Sequence, residues 1–157
     1  LPLKSPPLVR EHRLYQADWL LRFYGYEVDE ITTKNQPNLD LDIDPKLSWA
    51  LRNRDFFPID LNTADYEVIL RIPGLGVRNA KRIITARRFH HIRVNDLIKM
   101  RVNLKKCLPF MITGDHQPAS LELDSEKIRA LHAPPAQQLE LNFSAPIPKS
   151  EVIGGEF

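Results

Sequence analysis

The stretch LNTADYEVILRIPGLGVRNAKRIITARR, Leu61 to Arg88, decides the fold. It reads as two short helices joined by the bend Pro73-Gly74-Leu75-Gly76. Asn62 is placed to cap the first helix, with Asp65 three residues on to answer its backbone amide. That helix is therefore expected to start near Thr63 and to close at Pro73. Val68, Ile69 and Ile72 recur at helical spacing and give it one buried face. Gly74 and Gly76 permit positive φ and leave the bend's amides without side-chain cover. The second helix, Val77 to about Arg88, aims its own first N–H groups the same way. Bare amides and a helix dipole acting together make a phosphate site indifferent to base identity.

Charge is segregated around this stretch. From Arg71 to Lys106 there are eleven Lys and Arg against the single acid Asp96, a local charge of +10. The whole chain, with 22 bases and 20 acids, is only +2, so the remainder sits at −8. Solvated faces ordinarily mix signs, whereas a one-signed block is the footprint of a surface that meets phosphates.

The pattern Leu61, Asn62, Thr63, Ala64, Leu70, Ile72, Pro73, Gly74, Leu75, Gly76, Ala80 and Ile83 resembles the helix-hairpin-helix (HhH) motif of DNA repair and recombination proteins. That resemblance implies hairpin amides that hold a DNA phosphate, often with a bound monovalent cation. It makes Pro73, Gly74, Leu75, Gly76, Val77 and Arg78 the anion site, with Lys81, Arg82, Arg101, Lys105 and Lys106 adding Coulombic attraction. The alternative is a plain helical hairpin whose glycines only allow a tight turn. From Val94 to Ile112 the motif recurs in degraded form. Ile98-Lys99-Met100 stands where Leu70-Arg71-Ile72 stood, Val102 to Leu108 stands where Val77 to Ile83 stood, and Arg101 takes the place of Gly76. The expected fold is an all-α, (HhH)2-like bundle; duplicate hairpins allow phosphate contacts on both strands across a minor groove, but only the first hairpin here carries the full motif.

A chain of 157 residues with 43% hydrophobic content can bury a core. No apolar run approaches the roughly 20 residues a membrane span needs, and no signal peptide is recognisable. The lone Cys107 excludes internal disulfides and fits a reducing cytoplasm. Glu11 to Tyr24 reads as a helix with Leu14, Ala17, Leu21 and Tyr24 on one face and Trp19, Leu20 and Phe23 in a second apolar patch. That second patch either packs on the HhH core or meets a missing domain or partner. The first residue is Leu, which points to a fragment of a longer protein.

Pro6 to Ile31, PPLVREHRLYQADWLLRFYGYEVDEI, and the run NLDLDIDPKLSWALRNRDFFPIDLNTADYEVILRIPGLGVRNAKRI from Asn38 resemble the C-terminal part of the DNA modification/repair radical SAM proteins linked to a uracil-DNA-glycosylase-like partner. The resemblance covers roughly residues 6 to 113. It implies an upstream domain that uses S-adenosylmethionine and a [4Fe-4S] cluster held by three cysteines. With only Cys107 the present sequence cannot ligate that cluster, so no cofactor is expected in this chain and radical chemistry belongs elsewhere. The implied division is residues 1–37, an amphipathic helix and linker; 38–113, the DNA-binding unit; and 114–157, an acidic, proline-rich flexible tail.

Three local patterns invite sharper readings. Asp40, Asp42 and Asp44 open like a calcium loop, but Pro45 replaces the sixth-position glycine and Leu51 the twelfth-position acid, so Asp44 is read instead as the cap of a helix from Pro45. His90 and His91 have no second ligand pair at useful spacing and read as surface imidazoles. Asp96 lies where some DNA glycosylases place a catalytic aspartate, yet it also starts a helix, and capping is the reading adopted. In the tail, Asp124 to His132 reads as a short helix. Gln138, Leu139, Leu141 and Phe143 lie in a QLELNF run that resembles the peptide by which bacterial repair proteins dock on the DNA sliding clamp. A tail strand packed on its own domain is the other reading of that run.

Overall fold

The computed structural model of the chain describes residues 7–119 and 125–133. The first long helix, α1, runs Pro7–Phe23, and a single turn, α2, follows at Val28–Ile31. Helix α1 does not turn its most apolar stripe inward. His12, Gln16, Leu20 and Tyr24, spaced by four, are buried together with Ala17, while Leu14 and Leu21 are exposed. Gln16 is buried with a partner: its Oε1 accepts from Arg13 Nη1 at 2.8 Å, and Arg13 Nε donates to the Leu41 carbonyl at 3.3 Å.

Helix α3, Pro45–Arg52, forms as expected, with proline in its first turn and Asp44 accepting from Leu47 N at 2.8 Å. It buries Leu47, Trp49 and Ala50. A 3-10 turn at Arg54–Phe56 then leads to strand β1, Ile59–Asp60. Edge-on ring contacts link Trp49 with Tyr26, Phe56 and Phe57, and Phe57 with Phe110, at centroid separations of 5.0 to 6.1 Å.

The helix expected from Thr63 is shorter. Helix α4 occupies only Tyr66–Ile69, with Asp65 in the capping position. Asn62 makes longer-range bonds instead of capping it. Its side chain accepts from Ile92 N at 2.7 Å and donates to Ile92 O at 3.2 Å, tying the entry of this hairpin to the start of the next. Helix α5 follows the glycine bend at Val77–Ala86. Then come α6, Val94–Lys99, and the single turn α7, Leu104–Cys107. A second 3-10 turn, Leu108–Phe110, enters strand β2, Met111–Ile112. Strands β1 and β2 pair in parallel, Ile59 with Met111 and Asp60 with Ile112, so the chain is mostly helical rather than purely α.

The two helical hairpins correspond, in a register different from the one the sequence suggested. Gly74 has φ +88° and stands two residues before the α5 cap Gly76; Arg101 has φ +60° and stands two before the α7 cap Asn103. Arg101 therefore replaces Gly74, not Gly76, which has an extended φ of −94° that any residue adopts. The buried pairs Leu70 and Leu97, Leu75 and Val102, and Ala80 and Cys107 follow the same offset.

One hydrophobic core joins Leu20 of α1, Tyr24 just after it, Leu47 of α3, Ile69, Leu70, Ile72, Leu75, Ile83, Leu97, Phe110 and Ile128. The boundaries expected at 37/38 and 113/114 do not divide it. Helix α8, Ser125–His132, belongs to this body too: Ile128 is buried, and Arg129 pairs with Asp40 and, at 3.3 Å, with Asp42. The peptide Gln138 to Phe143, a reading of the sequence, lies outside the described residues.

Candidate nucleic-acid interface

The bend expected to grip an anion is interior. Pro73, Gly74, Leu75 and Gly76 are all buried. A Cβ on Gly74 would stand 3.1 Å from both the Asn103 carbonyl oxygen and Lys106 Cβ, so glycine is needed there for close packing on α7 as well as for its positive φ. On another side Lys46, fully buried, donates from Nζ to the Leu75 carbonyl and lies 4.8 Å from the centre of the Tyr24 ring. The expectation that these four residues offer open amides to a phosphate is corrected on that ground. What remains at the surface is the first turn of α5, with Val77 half-buried and Arg78 exposed.

The basic block also divides. Arg71 is held inside: its guanidinium pairs with Glu30 at 3.0 Å and lies 3.9 Å from the Tyr26 ring centre and 4.7 Å from that of Trp49. Arg87 donates to the carbonyls of Leu61, at 3.1 Å, and Ala64, at 2.6 Å, locking α5 against the loop before α4. Lys106 bonds Asp44 at 2.9 Å, so its charge is neutralised within the fold and its expected place among the phosphate contacts is corrected too. Burial pushes the Asp44 carboxyl upward, but Lys106 and the Leu47 amide outweigh burial and hold it below the usual carboxylate range.

The other eight bases, Arg78, Lys81, Arg82, Arg88, Arg93, Lys99, Arg101 and Lys105, are exposed. Four of them share one side of a helix. At 100° per residue, Arg78, Lys81, Arg82, Thr85 and Arg88 fall within about a third of the circumference of α5 and its terminal turn, opposite the buried Ala80 and Ile83. The stripe is about 15 Å long at 1.5 Å per residue, and no acid occurs from Arg71 to Asn95. Phe89 ends it, 82% exposed. Arg88 and Phe89 lie beyond the glycine motif and so fall outside the site expected from it; helical steps of three and four from Lys81 through Thr85 reach both.

The remaining candidates serve local structure. Asp96 accepts from Arg93 N at 2.9 Å and contacts His90 Nε2 at 3.1 Å. These bonds, the backbone one first, lower its pKa and describe a cap at the start of α6. His116 contacts the Leu108 carbonyl at 2.9 Å. Cys107 is buried, which pushes its thiol up to about 12 and leaves it unreactive. Among the described residues no group of His, Cys, Asp and Glu is arranged to hold a metal ion, and no helix is long and apolar enough to cross a membrane.

No family model matches the chain, and no curated protein or solved structure matches it.

Proposed function

We propose that the chain binds DNA through backbone phosphates, without sequence preference, using the outer stripe of α5 rather than the interior of the glycine bend. The observation that carries this reading is the one-signed row Arg78, Lys81, Arg82 and Arg88, exposed on a helix whose other side is anchored in the core. A rigid row of cations suits a charged polymer: several phosphates are met together, and each contact releases counterions. Arg101 and Lys105, exposed on the second hairpin, supply further charge.

Two helical hairpins related by a constant offset, with their positive-φ residues in matching places, support an (HhH)2-like arrangement in which the first hairpin completes the core. In this reading the chain presents DNA to a radical SAM domain or a uracil-DNA-glycosylase-like partner in the cytoplasm. The residues present do not fit the [4Fe-4S] cluster of such a domain, since the one cysteine is buried. They also fit a monovalent cation at the bend poorly, because the Leu75 carbonyl already accepts from Lys46 Nζ. No step is derived through either group.

A docking module in a repair complex is the second reading, and α1 favours it. Leu14 and Leu21 lie exposed on one flank, Tyr15 and Phe23 on the other. Salt-dependent retardation of duplex DNA separates the two: phosphate binding weakens steeply as salt rises, whereas a chain with no affinity for DNA at low salt leaves only the docking role.

A further inference from the structure

The basic stripe of α5 ends on an apolar ring that the core does not need. Phe89 is 82% exposed, the most exposed of the large apolar side chains described. Its backbone is held firmly. Phe89 N donates to the Ala86 carbonyl at 3.0 Å and His90 N to the same carbonyl at 3.3 Å. Three residues after Phe89, Ile92 is fully buried and clamped by Asn62 on one side and by Gly114 N, at 2.8 Å from its carbonyl, on the other. The turn is therefore a rigid mount that holds a phenyl ring in water.

What surrounds the ring identifies what it meets. Arg88 precedes it, His90 and His91 follow, and Arg93 comes next, all exposed. The nearest acid in sequence, Asp96, is occupied by Arg93 N and His90. An apolar ring flanked in sequence by the exposed cations Arg88 and Arg93 fits a ligand that is anionic at its edge and flat and aromatic within. A nucleotide is that ligand: phosphates meet the cations and the base stacks on the ring.

We infer that Phe89 stacks on a nucleobase, so that the chain favours DNA in which a base is unpaired or a base step is opened. This rests on the phosphate-binding reading above and adds a preference to it. In intact B-DNA the bases are stacked on one another, and opening a step for the ring costs a few kcal/mol. An abasic, bulged or single-stranded site has already met that cost, and selectivity follows.

The test compares the full chain with Phe89→Ala and Phe89→Trp on three DNAs of equal length: an intact duplex, a duplex with one unpaired base, and a single strand. 2-Aminopurine at the unpaired position reports stacking through its fluorescence. The wild type should prefer the unpaired-base duplex over the intact one by about tenfold, the scale of one base–aromatic stack. It should also quench the probe. Phe89→Ala should lose the preference and the quenching while keeping its affinity for intact duplex and its salt slope, and Phe89→Trp should restore both. Because the ring is exposed, neither substitution should change the unfolding midpoint. Wild-type binding with equal affinity for all three DNAs, or a preference that survives Phe89→Ala, would overturn this inference and leave phosphate binding standing. No binding to any DNA at low salt would overturn both. Concentration-dependent self-association abolished by Phe89→Ala, with DNA binding untouched, would assign the ring to a protein contact and overturn it as well.

Discussion

Gly74 and Gly25 both have positive φ, +88° and +74°, yet they answer to different physics. At Gly25 nothing lies within 4 Å of an added Cβ, so Gly25→Ala incurs only the left-handed backbone cost, about 1 kcal/mol. At Gly74 the added atom also meets the Asn103 carbonyl and Lys106 Cβ, and Gly74→Ala should cost about 2 to 4 kcal/mol in a urea melt. Equal losses at the two positions would deny the close packing of the bend on α7. Asp44 offers a second single-residue test. Its folded pKa is depressed, so the stability it contributes is present above the usual carboxylate value and is lost as pH falls below about 4. Asp44→Asn should lower stability by about 2 kcal/mol at pH 7, and the gap between variant and wild type should close toward pH 2. A gap that stayed constant with pH would mean that the Lys106 bond contributes nothing.

Among the elements, α3 and α5 were legible in the sequence because local signals decide them. Asp44-Pro45 fixes one start, and the alternation of Ala80 and Ile83 with Arg78, Lys81 and Arg82 fixes the other's two faces. The inward face of α1 was not legible. It depends on Arg13 reaching Leu41 across 28 residues, a bond no periodicity encodes. The burial of the bend was hidden for the same reason: Lys46 and Asn103 close on it from distant segments, and a lysine ordinarily reads as surface. Asn62 reads in the sequence as a helix cap, but its side chain bonds Ile92, 30 residues away, and Asp65 takes the capping position. Helix α8 was expected in a flexible tail and is held on the body by Ile128 and the Arg129 pairs with Asp40 and Asp42. Since Arg129 is partly exposed, Arg129→Ala should cost only about 0.5 to 1 kcal/mol of local stability. Amide exchange across α8 should accelerate two- to fivefold, as it should at high salt. Unchanged exchange in the variant would assign the docking to Ile128 alone.

Across the whole molecule, a chain of net charge +2 carries +10 in one stretch of 36 residues. Folding uses three of those bases internally, at Arg71, Arg87 and Lys106, and leaves eight exposed. Net charge alone would not reveal such a surface; its segregation along the chain does, and the helical spacing within α5 says where four of the charges align. The most direct measurement is the salt dependence of binding to a short intact duplex, for the wild type and for Arg78→Ala/Lys81→Ala/Arg82→Ala, a triple substitution of exposed residues that should leave the unfolding midpoint nearly unchanged. With about four to six phosphates met, log K should fall against log salt with a slope near −4 to −5, and the triple variant should lose about 2 to 3 from that slope along with most of its low-salt affinity. Binding that ignores salt, or a folded triple variant that binds like the wild type, would contradict the account.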